Sequence, residues 1–154
     1  MAAVWAFEDF TEGGTIDLGS ATVTAEAIVE FAGEFDPQPM HLDEAAGRQS
    51  ILGGLSASGW HSCAIFMRLF CEGFLLASTS QGSPGVDFVK WKKPVLAGDR
   101  LSARMTVVSK RLSKSRPSLG LVTLRSEMSN QCGESVFELE NTVMFLTRQA
   151  EAAK

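Results

Sequence analysis

Asp36 and His41 stand five residues apart in the segment FDPQPMHLDE at 35–44, with Pro37 and Pro39 between them. A carboxylate and an imidazole both move protons near neutral pH. Positions five apart share a helix face poorly, but an extended turn in which each proline fixes its φ can bring them together on a rigid mount. Held that way, the two side chains can grip one water between them. With His41 at or before a helix start, the positive end of the dipole disfavours imidazolium and keeps the ring neutral. Asp36, partly buried beside aromatics such as Phe35, is expected to have a raised pKa. A purely structural alternative stays open, in which Asp36 caps a turn and His41 caps the next helix. His61, the other of two histidines, lies inside an apolar segment and reads as a core or interface residue.

A second feature is GGLSASG at 53–59. Free N–H groups at a buried helix start form an anion or oxyanion site. An enolate-like thioester oxygen would be a natural guest, and one such donor is worth roughly 2.7–4 kcal/mol in known oxyanion holes. The glycines could equally serve close packing of helix on sheet. No GKS or GKT follows, so the segment is not a P-loop.

These groups need elements to carry them. Thr24 can cap a helix through AEAIVEFAGEF, where Ile28, Phe31, Ala32 and Phe35 make one apolar stripe, and Pro37 and Pro39 stop it. HLDEAAGRQ reads as a short second helix with Asp43 and Glu44 in its first turn. From about residue 57 to 76 the chain is apolar nearly all round, which predicts a buried helix, and small residues crowd its start. After GSPG at 82–85 come four strand candidates: VDFVKWKKPV, LSARMTVVSKRLS, LGLVTLRSEMSN and SVFELENTVMFLTR. Val122, Leu124, Ser126 and Met128 alternate with Thr123, Arg125, Glu127 and Ser129, a half-buried pattern. The chain is therefore helix-like before about residue 86 and strand-like after it. That order predicts an α+β fold with an antiparallel sheet wrapped on a central helix.

Composition narrows the function classes. A chain of 154 residues fits one domain over 1–154 and is long enough to bury a core without staples. A net charge of -4 and a short basic cluster, KWKK at 90–93, argue against a general nucleic-acid binder. No stretch approaches the roughly 20 apolar residues of a membrane span. The start, MAAVWAFEDFTEGG, lacks a positive n-region and an apolar core, so no export and a cytoplasmic location are expected. Cys63, Cys71 and Cys132 show no CxxC and no histidine at zinc spacing, and read as reduced packing cysteines.

Taken together, FDPQPMHLDE, GGLSASGWH, WKKPVLAGD and NQCGE before a final long strand resemble the MaoC-like dehydratases, which include the (R)-specific enoyl-CoA hydratases. The resemblance runs over roughly residues 8 to 148. It implies a hot-dog fold, a curved antiparallel sheet wrapped around a long central helix, assembled as a homodimer or a dimer of dimers. It also implies that Asp36 and His41 activate water for addition to a trans-2-enoyl-CoA, giving an (R)-3-hydroxyacyl-CoA. The backbone N–H of Gly54 or Gly53 would hold the thioester oxygen. Ser58, with Ser56 as the other candidate, would orient the aspartate. Lys90, Lys92, Lys93 and Arg100 are candidates for the CoA phosphates, foremost Lys92 and Lys93. No metal or redox cofactor is implied, since CoA is the substrate's own handle. Two departures stand out: Gln38 replaces the Asn of the Asp-x-Asn-Pro-x-His pattern, and Gly53-Gly54 replaces a His-Gly pair. The alternatives are a hot-dog acyl-CoA thioesterase, which would aim water at the carbonyl, and a non-catalytic acyl-CoA-binding or regulatory module.

Overall fold

The computed structural model of the chain describes residues 4–153. Residues 1–3, which open the segment read for an export signal, and residue 154, the last of the span read as one domain, lie outside the described residues.

Helix α1 spans Ala25–Phe35, and the Thr24 side chain accepts a hydrogen bond from the Ala27 N–H at 3.1 Å, as its cap position predicts. Its stripe is narrower than the spacing suggests: Ile28 and Ala32 are buried, but Phe35 is 65% exposed. The segment HLDEAAGRQ is not one helix. A single turn, α2, covers Pro39–Leu42, and α3 covers Glu44–Gln49. The reason lies in two residues. Pro39 suits the first turn of a helix and starts α2 early. Asp43 is extended, with φ -142 and ψ 134, and its carboxylate caps α3 by accepting from the Ala46 N–H at 2.9 Å.

The central helix α4 runs Gly59–Gly73, with Ser58 as its cap, and a short 3-10 turn at Leu75–Ala77 follows. Phe66, Leu69 and Phe70 of α4, with Phe74 just after it, are buried in the core beside Leu124, Phe137 and Phe145 of the sheet. Phe66 stacks on Phe137 with ring centroids 5.4 Å apart. The all-round burial expected of α4 is not seen in the single chain. Trp60 is 62% exposed and Met67 is also exposed, because the sheet covers one side of the helix only. Val86 and Trp91, both exposed, extend this apolar face toward an edge of the sheet.

Five strands make that sheet. They are β1 Thr15–Thr22, β2 Val86–Trp91, β3 Arg100–Leu112, β4 Leu119–Ser129 and β5 Ser135–Leu146, all antiparallel in the order β1-β3-β4-β5-β2. The last four fall within the four predicted segments to about a residue or a few. β1 was not anticipated. TIDLGSAT buries Leu18 alone, so its alternation is faint, and pairing with β3 is what makes it a strand. Each of the four ladders carries a register shift, at Asp17/Gly19, Val86/Phe88, Val107/Ser109 and Met128/Ser129. Such bulges bend and coil a sheet, which lets this one curve around α4. The alternation read in β4 holds: Val122, Leu124, Ser126 and Met128 are buried.

Candidate active site

Because Pro37 ends α1, Asp36 becomes its C-cap, its N–H donating to the Ala32 carbonyl at 2.9 Å. The proline turn then doubles back into α2, which carries His41. The two side chains meet: Asp36 Oδ2 is 3.6 Å from His41 Nε2. That is beyond a direct hydrogen bond, yet one water oxygen can contact both atoms. His41 is buried and the Asp36 side chain is 17% exposed. Two donors grip the carboxylate. Ser58 Oγ donates to Oδ2 at 2.6 Å, and Gln38 Nε2 donates to Oδ1 at 2.7 Å.

These bonds reverse the expected pKa. The Ser58 hydroxyl first, then the Gln38 amide, and finally His41 whenever its ring is protonated hold the Asp36 carboxyl below its ordinary value, outweighing the opposite pull of burial. Phe35, which was to have shielded it, points into solvent instead.

His41 is positioned by a different device from the one predicted. It sits in the single turn α2 rather than at or before the start of a longer helix, so little dipole acts on it. Its Nδ1 lies 2.7 Å from the Ser56 carbonyl oxygen. A carbonyl only accepts, so Nδ1 carries the hydrogen and donates it, and in the neutral form of the ring Nε2 is then an acceptor facing Asp36. The two serines thus divide the work. Ser58 orients the aspartate through its hydroxyl, and Ser56 orients the histidine through its backbone. Their extended stretch is fixed in turn: Ser56 N–H donates to Met40 O at 3.4 Å, and Ala57 N–H to Val95 O at 2.8 Å.

His41 opens onto a cavity of about 250 Å³ lined also by Gly59, Ser62, Trp91, Lys92 and Lys93. The predicted glycines are elsewhere. α4 starts at Gly59, not at Gly53 or Gly54, and neither of those two lines the cavity. Gly53 has φ +81 in a turn, and its N–H is taken by Ser50 O at 3.3 Å. Gly54 packs its backbone against α3, where a Cβ on Gly47 would come within 2.4 Å of it. Gly53 therefore serves the turn, and Gly54 serves close packing. Gly59 is the glycine at the site, with Trp91 lying so near that a Cβ there would meet its ring at 2.5 Å.

The basic residues divide. Lys92 and Lys93 line the cavity, Lys92 Nζ 3.9 Å from Glu138 and Lys93 paired with Glu134. Lys90 instead lies over the Phe88 ring, and Arg100 donates to Ser20 Oγ at 2.6 Å on β1. They do not form one cluster because β3, which carries Arg100, is separated from β2 by β4 and β5. His61 is 8% exposed and stacks on Phe31 with centroids 4.7 Å apart; burial holds it below the ordinary imidazole pKa. Among the described residues no group of three or more His, Cys, Asp or Glu is placed to hold a metal ion, and no helix is long and apolar enough to cross a membrane. Sequence reasoning noted Gln38 only as a departure and passed over Trp91. The signal for Gln38 was its place between two prolines, where a side chain has a fixed root.

Beside the Trp60–Trp91 pair, whose rings meet edge to face at 5.3 Å, a larger apolar groove of about 500 Å³ runs between α4 and β2. Cys63, Met67, Phe70, Val89 and Leu139 are among its walls.

Comparison with known proteins brings in relatives. The MaoC like domain matches residues 9–129. The crystal structure of a MaoC-like dehydratase from Rhodospirillum rubrum is 43% identical, with a TM-score of 0.86, covering 93% of this chain and 97% of that one. The uncharacterized protein YdeM of Bacillus subtilis (strain 168) is 32% identical over 137 residues, 89% of this chain and 96% of that protein. A Mycobacterium tuberculosis protein described as having a double hotdog fold, RV0216, is 18% identical with a TM-score of 0.72, covering 96% of this chain and 46% of that one. The sheet curved around α4 is thus a hot-dog fold.

Proposed function

Since the chain belongs to the MaoC-like dehydratase family, we propose that it is a hydro-lyase that reversibly adds water to a trans-2-enoyl-CoA, giving an (R)-3-hydroxyacyl-CoA. The observation that carries this reading is the Asp36–His41 pair at 3.6 Å, with His41 on the cavity wall. With Asp36 ionised and the His41 ring in its neutral form, both facing atoms are acceptors, so one water can donate an O–H to each. Its oxygen adds to the β carbon of the enoyl group. The displaced electron pair moves through the α carbon to the thioester oxygen. The proton taken by the pair then goes to the α carbon, so that one water is consumed and none of its atoms is lost. The Asp36–His41 pair thus takes the proton from water and returns it to the substrate.

Gly59 is our candidate donor to the thioester oxygen. As the first residue of α4 it has an N–H with no intrahelical acceptor, and it lines the cavity. Lys92 and Lys93, at the rim, suit the CoA phosphates. A second copy of the chain suits the apolar face of α4 and β2, so we propose a homodimer as the working unit.

The test is the loss of enoyl-thioester absorbance with crotonyl-CoA and a longer trans-2-enoyl-CoA, run beside Asp36→Asn and His41→Ala. Turnover by the wild type, reduced about a hundredfold or more in both variants, is the expected result. Thiol release without hydration would replace the reading by a thioesterase. Binding of CoA esters without either reaction would replace it by a binding module.

A further inference from the structure

We infer that Gln38 is a positioning residue, whose side-chain amide fixes the Asp36 carboxylate for proton transfer by holding the oxygen that Ser58 leaves free. The inference rests on the hydro-lyase reading above for its kinetic part and on geometry for the rest.

A glutamine on the surface usually turns into water, and Gln38 is exposed. Its amide does not. Nε2 donates to Asp36 Oδ1 at 2.7 Å, whereas Ser58 holds Oδ2 at 2.6 Å. A carboxylate pinned at one oxygen can still swing about its Cβ–Cγ bond. Pinned at both, it presents one face to His41. The root of the Gln38 side chain is equally constrained, lying between Pro37 and Pro39 with φ -80 and ψ 142. Its backbone is tied at both ends to the same pair: Gln38 N–H donates to Asp36 O at 2.8 Å, and Gln38 O accepts from the His41 N–H at 3.0 Å. Gln38 occupies the N-cap position of α2 but makes no side-chain capping bond there. The amide serves the carboxylate instead of the helix.

Chain length matters here. The family pattern has Asn at this position, and an asparagine is one methylene shorter than the side chain that reaches Oδ1 here. The titratable group in contact with Asp36 is His41, and among the described residues no lysine or arginine forms an ion pair with it. The amide therefore has no lysine or arginine to stand in for it. Its loss is predicted to leave the carboxylate less well stabilised in its charged form and freer to rotate.

The test compares wild type, Gln38→Met, which keeps the length without the amide, and Gln38→Glu, which sets a like charge at the same reach. Asp36 is titrated by carboxyl carbon NMR, which needs no turnover, and kcat and KM for crotonyl-CoA hydration are followed against pH. In Gln38→Met the Asp36 midpoint moves to higher pH, the acid limb of kcat/KM moves with it, and kcat falls about tenfold with KM within about twofold. In Gln38→Glu the Asp36 midpoint moves further in the same direction. An Asp36 midpoint in Gln38→Met equal to that of the wild type overturns the inference, as does a fall in kcat with no movement of the midpoint. Failure of the hydro-lyase reading looks different: the wild type shows no hydration while the Asp36 midpoint still responds to Gln38.

Discussion

Ser58 performs two tasks with one hydroxyl, so its removal has a calculable cost. As donor it holds Asp36 Oδ2 at 2.6 Å, and as acceptor it caps α4 through the Trp60 N–H at 3.3 Å. Losing a serine N-cap to alanine costs about 1 kcal/mol. A hydrogen bond to a charged group contributes roughly 1.5–3 kcal/mol, and the low end applies because Asp36 keeps some contact with water. Ser58→Ala should therefore lose about 2–3 kcal/mol, or roughly 5–10 °C in Tm for a chain of this length. Ser58→Gly separates the tasks, since glycine at an N-cap costs only a few tenths of a kcal/mol; about 1.5–2 kcal/mol should remain, belonging to the aspartate. The pH dependence follows from the direction of the shift. The folded pKa of Asp36 lies below the ordinary 3.8, so its stabilisation is complete above 3.8 and is lost as the pH falls through the folded value. The gap between wild type and Ser58→Ala should be widest near pH 7 and shrink below 3.8. Chemical denaturation at pH 7 and pH 3 measures it. A gap of the same size at both pH values, or a Ser58→Gly variant as stable as wild type, would refute the bond to an ionised Asp36.

Three further outcomes are expected. Replacing Lys92 and Lys93 together by alanine should raise KM for an acyl-CoA about three- to tenfold with kcat unchanged, in line with exposed charge contacts worth up to about 1 kcal/mol each; an unchanged KM removes them from phosphate recognition. Gly47→Ala places a Cβ 2.4 Å from the Gly54 carbonyl, backbone that cannot swing aside, and should cost about 1–3 kcal/mol in a urea titration. Met67→Lys sets a charge on the exposed apolar face of α4 and should shift the protein toward monomer in sedimentation velocity; an unaltered distribution would place the subunit contact elsewhere.

The sheet and the central helix were legible because their signals are local. Period-two alternation in β4, the Thr24 cap and the two prolines after α1 each act within a few residues of themselves. β1 was hidden because its partner strand is remote in sequence and its own pattern is diluted by Asp17 and Gly19. The exposed side of α4 was hidden for a related reason: an apolar helix announces that it will be covered, but not by what. At the site, the spacing of Asp36 and His41 foretold their meeting. The sign of the Asp36 shift could not be read, since it depends on Ser58, twenty-two positions on, arriving within 2.6 Å. Neither could the displacement of Gly53 and Gly54 from the helix start, which follows from an extended stretch at Leu55–Ala57 pinned to Val95 and Ala97.

That short stretch has a consequence for how the protein fails. Ser56 and Ser58 stand two positions apart on one strip of backbone, and each escorts a different member of the pair. Lifting the strip disarms both side chains together: His41 loses the carbonyl that holds Nδ1, and Asp36, left with the Gln38 amide on Oδ1 alone, can swing away from it. The site therefore has no half-built form. Where heat or a distant substitution loosens this region, remaining activity should reflect a census of intact molecules, each working at full speed, rather than a uniform slowing of them all.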